Sequence, residues 1–217
     1  MVRHLLSGTL LAVLAALAFV LVSSVGATAP LSNASPQAHP APTTPAPEVA
    51  ELSLPWECSA AYRVTQTHDV GSHKGLGRWA FDFDLPEGTP VSAPAAGEVR
   101  MVRDDSTRHG CGPEFGWDAN YVVIDLLNGY DALLLHLEAD SVTVKPGDKV
   151  EAGQVVGRVG NSGWVCGTHL HFQIQRSCSS WWCQSVPAEF ADYPAPSTGQ
   201  ELTRGVCEAP GTVVMAD

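Results

Sequence analysis

The stretch "GTHLHFQIQ", residues 167–175, places two histidines two apart inside a run that otherwise alternates like a buried strand. Strand side chains switch faces at every residue, so His169 and His171 project from one side while Leu170, Phe172 and Ile174 cover the other. A lone histidine in a half-buried strand is commonly a hydrogen-bonded structural residue. Two on one face raise the alternative of a site, because neutral imidazole is a common metal ligand and proton carrier.

On both sides of this run the chain reads as short strands separated by turns. "WAFDFDL" (79–85), "GEVRMV" (97–102) and "QVVGRVG" (154–160) have strand character, and "PEGTP", "KPGD" and "EAGQ" have turn chemistry. "NYVVIDLL" and "YDALLLHL" flank Asn128-Gly129, a pair that tolerates the positive φ angles of a two-residue type I′ turn. This predicts a hairpin with His136 on its second arm. No stretch after Glu51 has helical periodicity, so the prediction is an all-β domain. Residues 104–118, "DDSTRHGCGPEFGWD", read as a long surface loop that either borders a site or simply connects two strands.

The chain has 217 residues, enough for one folded domain after a non-globular N-terminal part. Residues 1–29 carry Arg3, the apolar run "LLAVLAALAFVLV" and small residues up to Ala27 and Ala29, the pattern of a secretory leader. The alternative is a retained membrane anchor, since the run approaches the ~20 residues that span a bilayer. Residues 30–50 are rich in Ala, Pro and Thr and read as a linker, leaving 51–210 as the domain. All six cysteines lie in that domain, and an even count in an exported chain predicts disulfides. Their pairing is open, with Cys178 and Cys183 close enough in sequence for a local bond. A formal charge of -11 argues against nucleic acid and against anionic membrane as partners of the domain.

Outside "HLH", residues suited to metal chemistry occur in "SHKGLGRWAFDFDLPEGTPVSAPAAGEV" and in "LLLHLEADSVTVKPGDKVEAGQVVGRVGNSG". A hydrolytic zinc site keeps three His or carboxylate ligands and an open position for water. These segments, in this order and followed by "GTHLHFQI", closely resemble the lysostaphin-type zinc metallopeptidases that cleave bacterial cell-wall peptides. The resemblance covers approximately Val64 to Phe190.

It implies an antiparallel, duplicated-hybrid-like β architecture with one zinc ion per domain. It implies His73, Asp82 and His171 as the metal ligands, and His136 and His169 as catalytic histidines beside the metal. Two positions compete with these ligands: Asp84, on the same strand face as Asp82, and His68, upstream of His73. The family's histidine and aspartate usually stand four apart, whereas His73 and Asp82 are nine apart, which implies a longer loop before the aspartate strand. His109, in the irregular loop, is expected to be exposed or to touch substrate. Leu134 stands where many relatives carry a tyrosine two before the catalytic histidine, and the loss of that side chain is expected to alter substrate contact rather than the metal site. Trp181 and Trp182 are expected either in the core or facing substrate, with at least one in the core.

The function implied is a secreted, extracytoplasmic zinc metalloendopeptidase acting on peptidoglycan peptides. The alternative is a catalytically inactive relative that binds wall or activates another hydrolase. A lipoyl-type carrier, suggested by "VKPGDKVEAGQVVGRV", would need a modifiable lysine in a hairpin between its halves, and none is present.

Overall fold

The computed structural model describes residues 51–205 and Cys207; the leader and linker readings fall outside these residues. Among the described residues the only helical elements are two 3-10 turns, Gly75–Gly77 and Pro113–Phe115, and no helix is long and apolar enough to cross a membrane.

The main sheet runs in the order β13 (Glu201–Thr203), β1 (Ala61–Gln66), β2 (Phe81–Phe83), β11 (Leu170–Arg176), β7 (Tyr130–Leu135), β6 (Tyr121–Asp125), β4 (Gly97–Arg103) and β8 (Lys149–Val150). Every neighbouring pair is antiparallel. Beyond the end of β2, β12 (Ser185–Val186) takes over the free edge of β11. Two small sheets flank it: β3 (Pro90–Ser92) with β9 (Val155–Arg158), and β5 (His109–Gly110) with β10 (Gly163–Trp164).

One face of β11 builds the core. Leu170 and Phe172 lie opposite Phe83 and Phe81 on β2, while Phe172 and Ile174 lie opposite Leu134 and Ala132 on β7. Phe190 packs against Phe81, Phe83 and Phe172 with ring centroids 5.4 to 6.1 Å apart. Val91 and Val156 of the β3–β9 pair join the same cluster. Each fully buried side chain of this size stabilises the fold by roughly 1.5–3 kcal/mol. Leu134 belongs to this core and is fully buried. The alternation that turns Leu133 and Leu135 to the other face turns Leu134 inward.

The hairpin between β6 and β7 forms, but its turn differs from the expected one. Asp125 pairs with Asp131, and the Leu126 amide donates to the Tyr130 carbonyl, which leaves a three-residue loop. Positive φ falls on Leu127 and Gly129 instead of on Asn128 and Gly129. The Asp125 carboxylate accepts from the Leu127 amide at 2.7 Å and holds the longer turn. β7 ends at Leu135, so His136 stands just past the second arm.

The cysteines pair as Cys58–Cys207, Cys111–Cys166 and Cys178–Cys183. The first joins the two ends of the domain. The other two brace loops on the site face.

Candidate active site

Register brings the first two site residues together. His171 on β11 lies directly opposite Asp82 on β2, so adjacent strands present both side chains on the face away from the core. His171 Nδ1 is 2.9 Å from Asp82 Oδ1. His73 arrives from the loop between β1 and β2. That loop turns through Gly71 at φ +50, where an added Cβ would lie 2.1 Å from the Gln66 carboxamide oxygen. It is closed at its base by the Asp69–Arg78 ion pair. Residues 74–80 of this loop lie between His73 and β2 and take up the nine-residue spacing between His73 and Asp82. His73 Nδ1–H donates to the Thr67 carbonyl at 2.8 Å, and Nε2 lies 3.0 Å from Asp82 Oδ1.

One potential ligand atom from each of His73, Asp82 and His171 lies within 4.8 Å of the others. All three residues are at most 7% exposed. Asp84 is exposed, and His68 packs against Trp79 and Phe81 outside this group. Residues 73–181 match peptidase family M23, half of the chain.

The chain belongs to peptidase family M23.

Peptidoglycan DD-endopeptidase ShyA of Vibrio cholerae is 35% identical over 123 residues, 55% of this chain and 25% of that protein. Glycyl-glycine endopeptidase ALE-1 of Staphylococcus capitis is 33% identical over 138 residues, 62% of this chain and 34% of that protein. The catalytic domain of the prophage-encoded M23 protein EnpA from Enterococcus faecalis is 29% identical, covering 58% of this chain and 88% of that chain at a TM-score of 0.44. The M23 chain thus spans between a quarter and about a third of the length of these two curated relatives.

A second pair of histidines completes the site of this M23 chain. His136 and His169 stand with ring centroids 4.7 Å apart, and His169 Nε2 is 3.6 Å from Asp82 Oδ1. His136 has φ +69, a conformation that costs a non-glycine residue about 1–3 kcal/mol and turns it out of the line of β7. Its Nδ1–H donates to the Ser162 carbonyl, and His169 Nδ1–H donates to the Gly167 carbonyl, each at 2.8 Å. In the neutral rings both Nε2 atoms are therefore free to accept a proton.

The electrostatics follow from burial and from the partners. Burial by itself raises the Asp82 carboxyl, but the imidazoles of His171 and His73 beside it outweigh burial and hold the group well below the usual carboxylate range. Burial pushes His171 down despite the adjacent Asp82. His136 is pushed well below the ordinary histidine value, first by burial and then by His169 and His171.

These groups open into a groove of about 510 Å³. Trp117, Trp164, Trp181 and Trp182 line it, together with Pro113 and Gly167. Both Trp181 and Trp182 are half-buried and reach the groove, and neither is fully in the core. The loop 104–118 borders the site through Pro113 and Trp117, while His109 is exposed. The buried supports Asn120, Ser162, Gln173 and Gln175 were not singled out from sequence. Gln173 and Gln175 had a legible signal, since they repeat the period of two that joins His169 to His171.

Proposed function

We propose that the chain is a zinc-dependent metalloendopeptidase that hydrolyses peptide bonds of bacterial cell-wall peptidoglycan. The observation that carries this reading is the convergence of His73 Nε2, Asp82 Oδ1 and His171 Nδ1, buried, beside two histidines with free Nε2 atoms. The donor set suits zinc. His73 commits its Nδ1 proton to Thr67, so Nε2 aims an electron pair at the point where Asp82 places its charge, an arrangement that a cation relieves. His73, Asp82 and His171 would hold one zinc ion. When bound, zinc supplies Lewis-acid chemistry, polarising a carbonyl and lowering the pKa of a water towards ~7.

The chain's own groups handle orientation and protons. His136, buried and kept neutral, orients the attacking water by accepting its hydrogen at Nε2. His169, half-buried at the open side of the site, takes the proton at Nε2 and passes it to the leaving amine. The tryptophan walls exclude water from the groove and grip an extended peptide through apolar contact.

Two relatives named for peptidoglycan and glycyl-glycine endopeptidase activity support a wall peptide as substrate. Three disulfides support an oxidising, extracytoplasmic location, in line with residues 1–29 as a leader and 51–210 as the catalytic domain. The test is mass spectrometry of crosslinked muropeptides after incubation with the zinc-loaded chain, beside a chelator-treated control. New amine ends that vanish with chelator are expected. Absence of cleavage by a chain carrying one zinc would overturn peptidoglycan as the substrate and favour a different peptide, or a wall-binding or hydrolase-activating role.

A further inference from the structure

Three of the four site histidines obtain their tautomer directly from a backbone carbonyl: Thr67 for His73, Ser162 for His136 and Gly167 for His169. His171 has no such partner. It lies in the middle of the sheet, paired with β2 on one side and β7 on the other, and its neighbours' carbonyls belong to the ladders. Its second ring nitrogen faces the Gln173 side chain instead.

We propose that Gln173 and Gln175 are positioning residues through which the backbone of the Cys178–Cys183 loop dictates that His171 directs Nδ1 towards Asp82. The proposal rests on the metal-site reading above. The chain of constraint begins at backbone groups, whose donor and acceptor roles cannot exchange. The Cys183 amide donates to Gln175 Oε1 at 2.9 Å, and Gln175 Nε2 donates to the Trp181 carbonyl at 2.9 Å. A flipped Gln175 amide would set donor against donor and acceptor against acceptor, so its orientation is fixed. Gln173 Nε2 must then donate to Gln175 Oε1 at 2.8 Å, with the Cys183 carbonyl as a second acceptor at 3.4 Å.

Gln173 Oε1 is left facing His171 Nε2 at 3.4 Å. An amide oxygen only accepts, so Nε2 carries the ring proton and Nδ1 presents its electron pair 2.9 Å from Asp82. Both glutamines are fully buried, so water cannot replace a lost partner. The loop that starts the relay also carries Trp181 and Trp182 into the groove, and Trp182 lies 5.6 Å from the His171 ring. One disulfide-closed loop thereby sets both the substrate wall and the orientation of a ligand.

The test uses the full chain, with disulfides intact and zinc added. Long-range proton–nitrogen spectra are expected to show the His171 proton on Nε2, and zinc affinity is read by chelator competition. Gln173→Leu is expected to weaken zinc binding by roughly 10–100-fold, the usual cost of losing a residue that orients a ligand. Gln175→Glu, its buried carboxyl kept protonated so that the hydroxyl donates to the Trp181 carbonyl, keeps an acceptor for the Cys183 amide and Gln173 Nε2, and is expected to retain the Nε2 proton and near-native affinity. A purely structural role would lower stability without moving either signal. A His171 proton on Nδ1 in the unmutated chain overturns the relay, a result that needs no variant to fold. A folded Gln173→Leu that binds zinc as tightly as the unmutated chain also overturns it. Failure of the unmutated chain to bind zinc would instead overturn the metal reading itself.

Discussion

The two faces of β11 are equally dry and chemically opposite. Leu170, Phe172 and Ile174 on one side, and His171, Gln173 and Gln175 on the other, are all at most 5% exposed. The apolar face stabilises by area, and its contacts have no direction, so any side chain of matching shape serves. The polar face has to direct every proton. Each of its groups gives up water, at a cost that only a correctly oriented partner offsets. Burial that costs stability unless it is fully satisfied marks this face as the working one, and the apolar face as its foundation.

The comparison breaks first at the histidines. His169→Ala and His136→Ala are each expected to lower kcat by about 10²–10⁴-fold, the usual share of a proton-transferring group, while the zinc content of the purified chain stays at one. Loss of fold or of zinc in either variant would make these residues part of the foundation. Next in size, Phe172→Ala on the opposite face is expected to cost about 3–5 kcal/mol in denaturant unfolding, with zinc affinity unchanged in the molecules that remain folded. An affinity change as large as that of Gln173→Leu would mean that the two faces are not separable.

The smallest effect separates the faces by pH. His136 and His171 both have folded values below the ordinary one, so as pH falls through ~6.5 the unfolded chain takes up protons first. Stability of the metal-free chain is therefore expected to fall with acid from that pH, by up to ~1.4 kcal/mol per pH unit for each histidine. Asp82, also held low, adds a further loss below about pH 4. A flat stability between pH 7 and 5 would contradict the buried, neutral state of both rings.

Much of the site was legible because its logic is local. The period of two put His169 and His171 on one side, and it was enough to expect that the opposite residues build the core. Between Asp82 and Asp84 the register distinguishes: β2 stops at Phe83, Asp84 is exposed, and Asp82 lies opposite His171. The Asn128-Gly129 signal located the hairpin but not its turn, since the Asp125 side chain favoured three loop residues over two. The burial of Leu134, where many relatives carry a tyrosine, follows from the alternation along β7. The disulfide partners Cys58 and Cys207, 149 residues apart, have no local signature at all.

By itself the sequence determined the strand alternation, the turn glycines and the set of side chains able to bind metal or carry protons, because these depend on residue type and spacing. Only the tertiary structure decided which of those side chains meet and which ring nitrogen each histidine offers. Those outcomes depend on strand register and on a hydrogen-bond chain that runs from a backbone amide at Cys183 to a ring at His171.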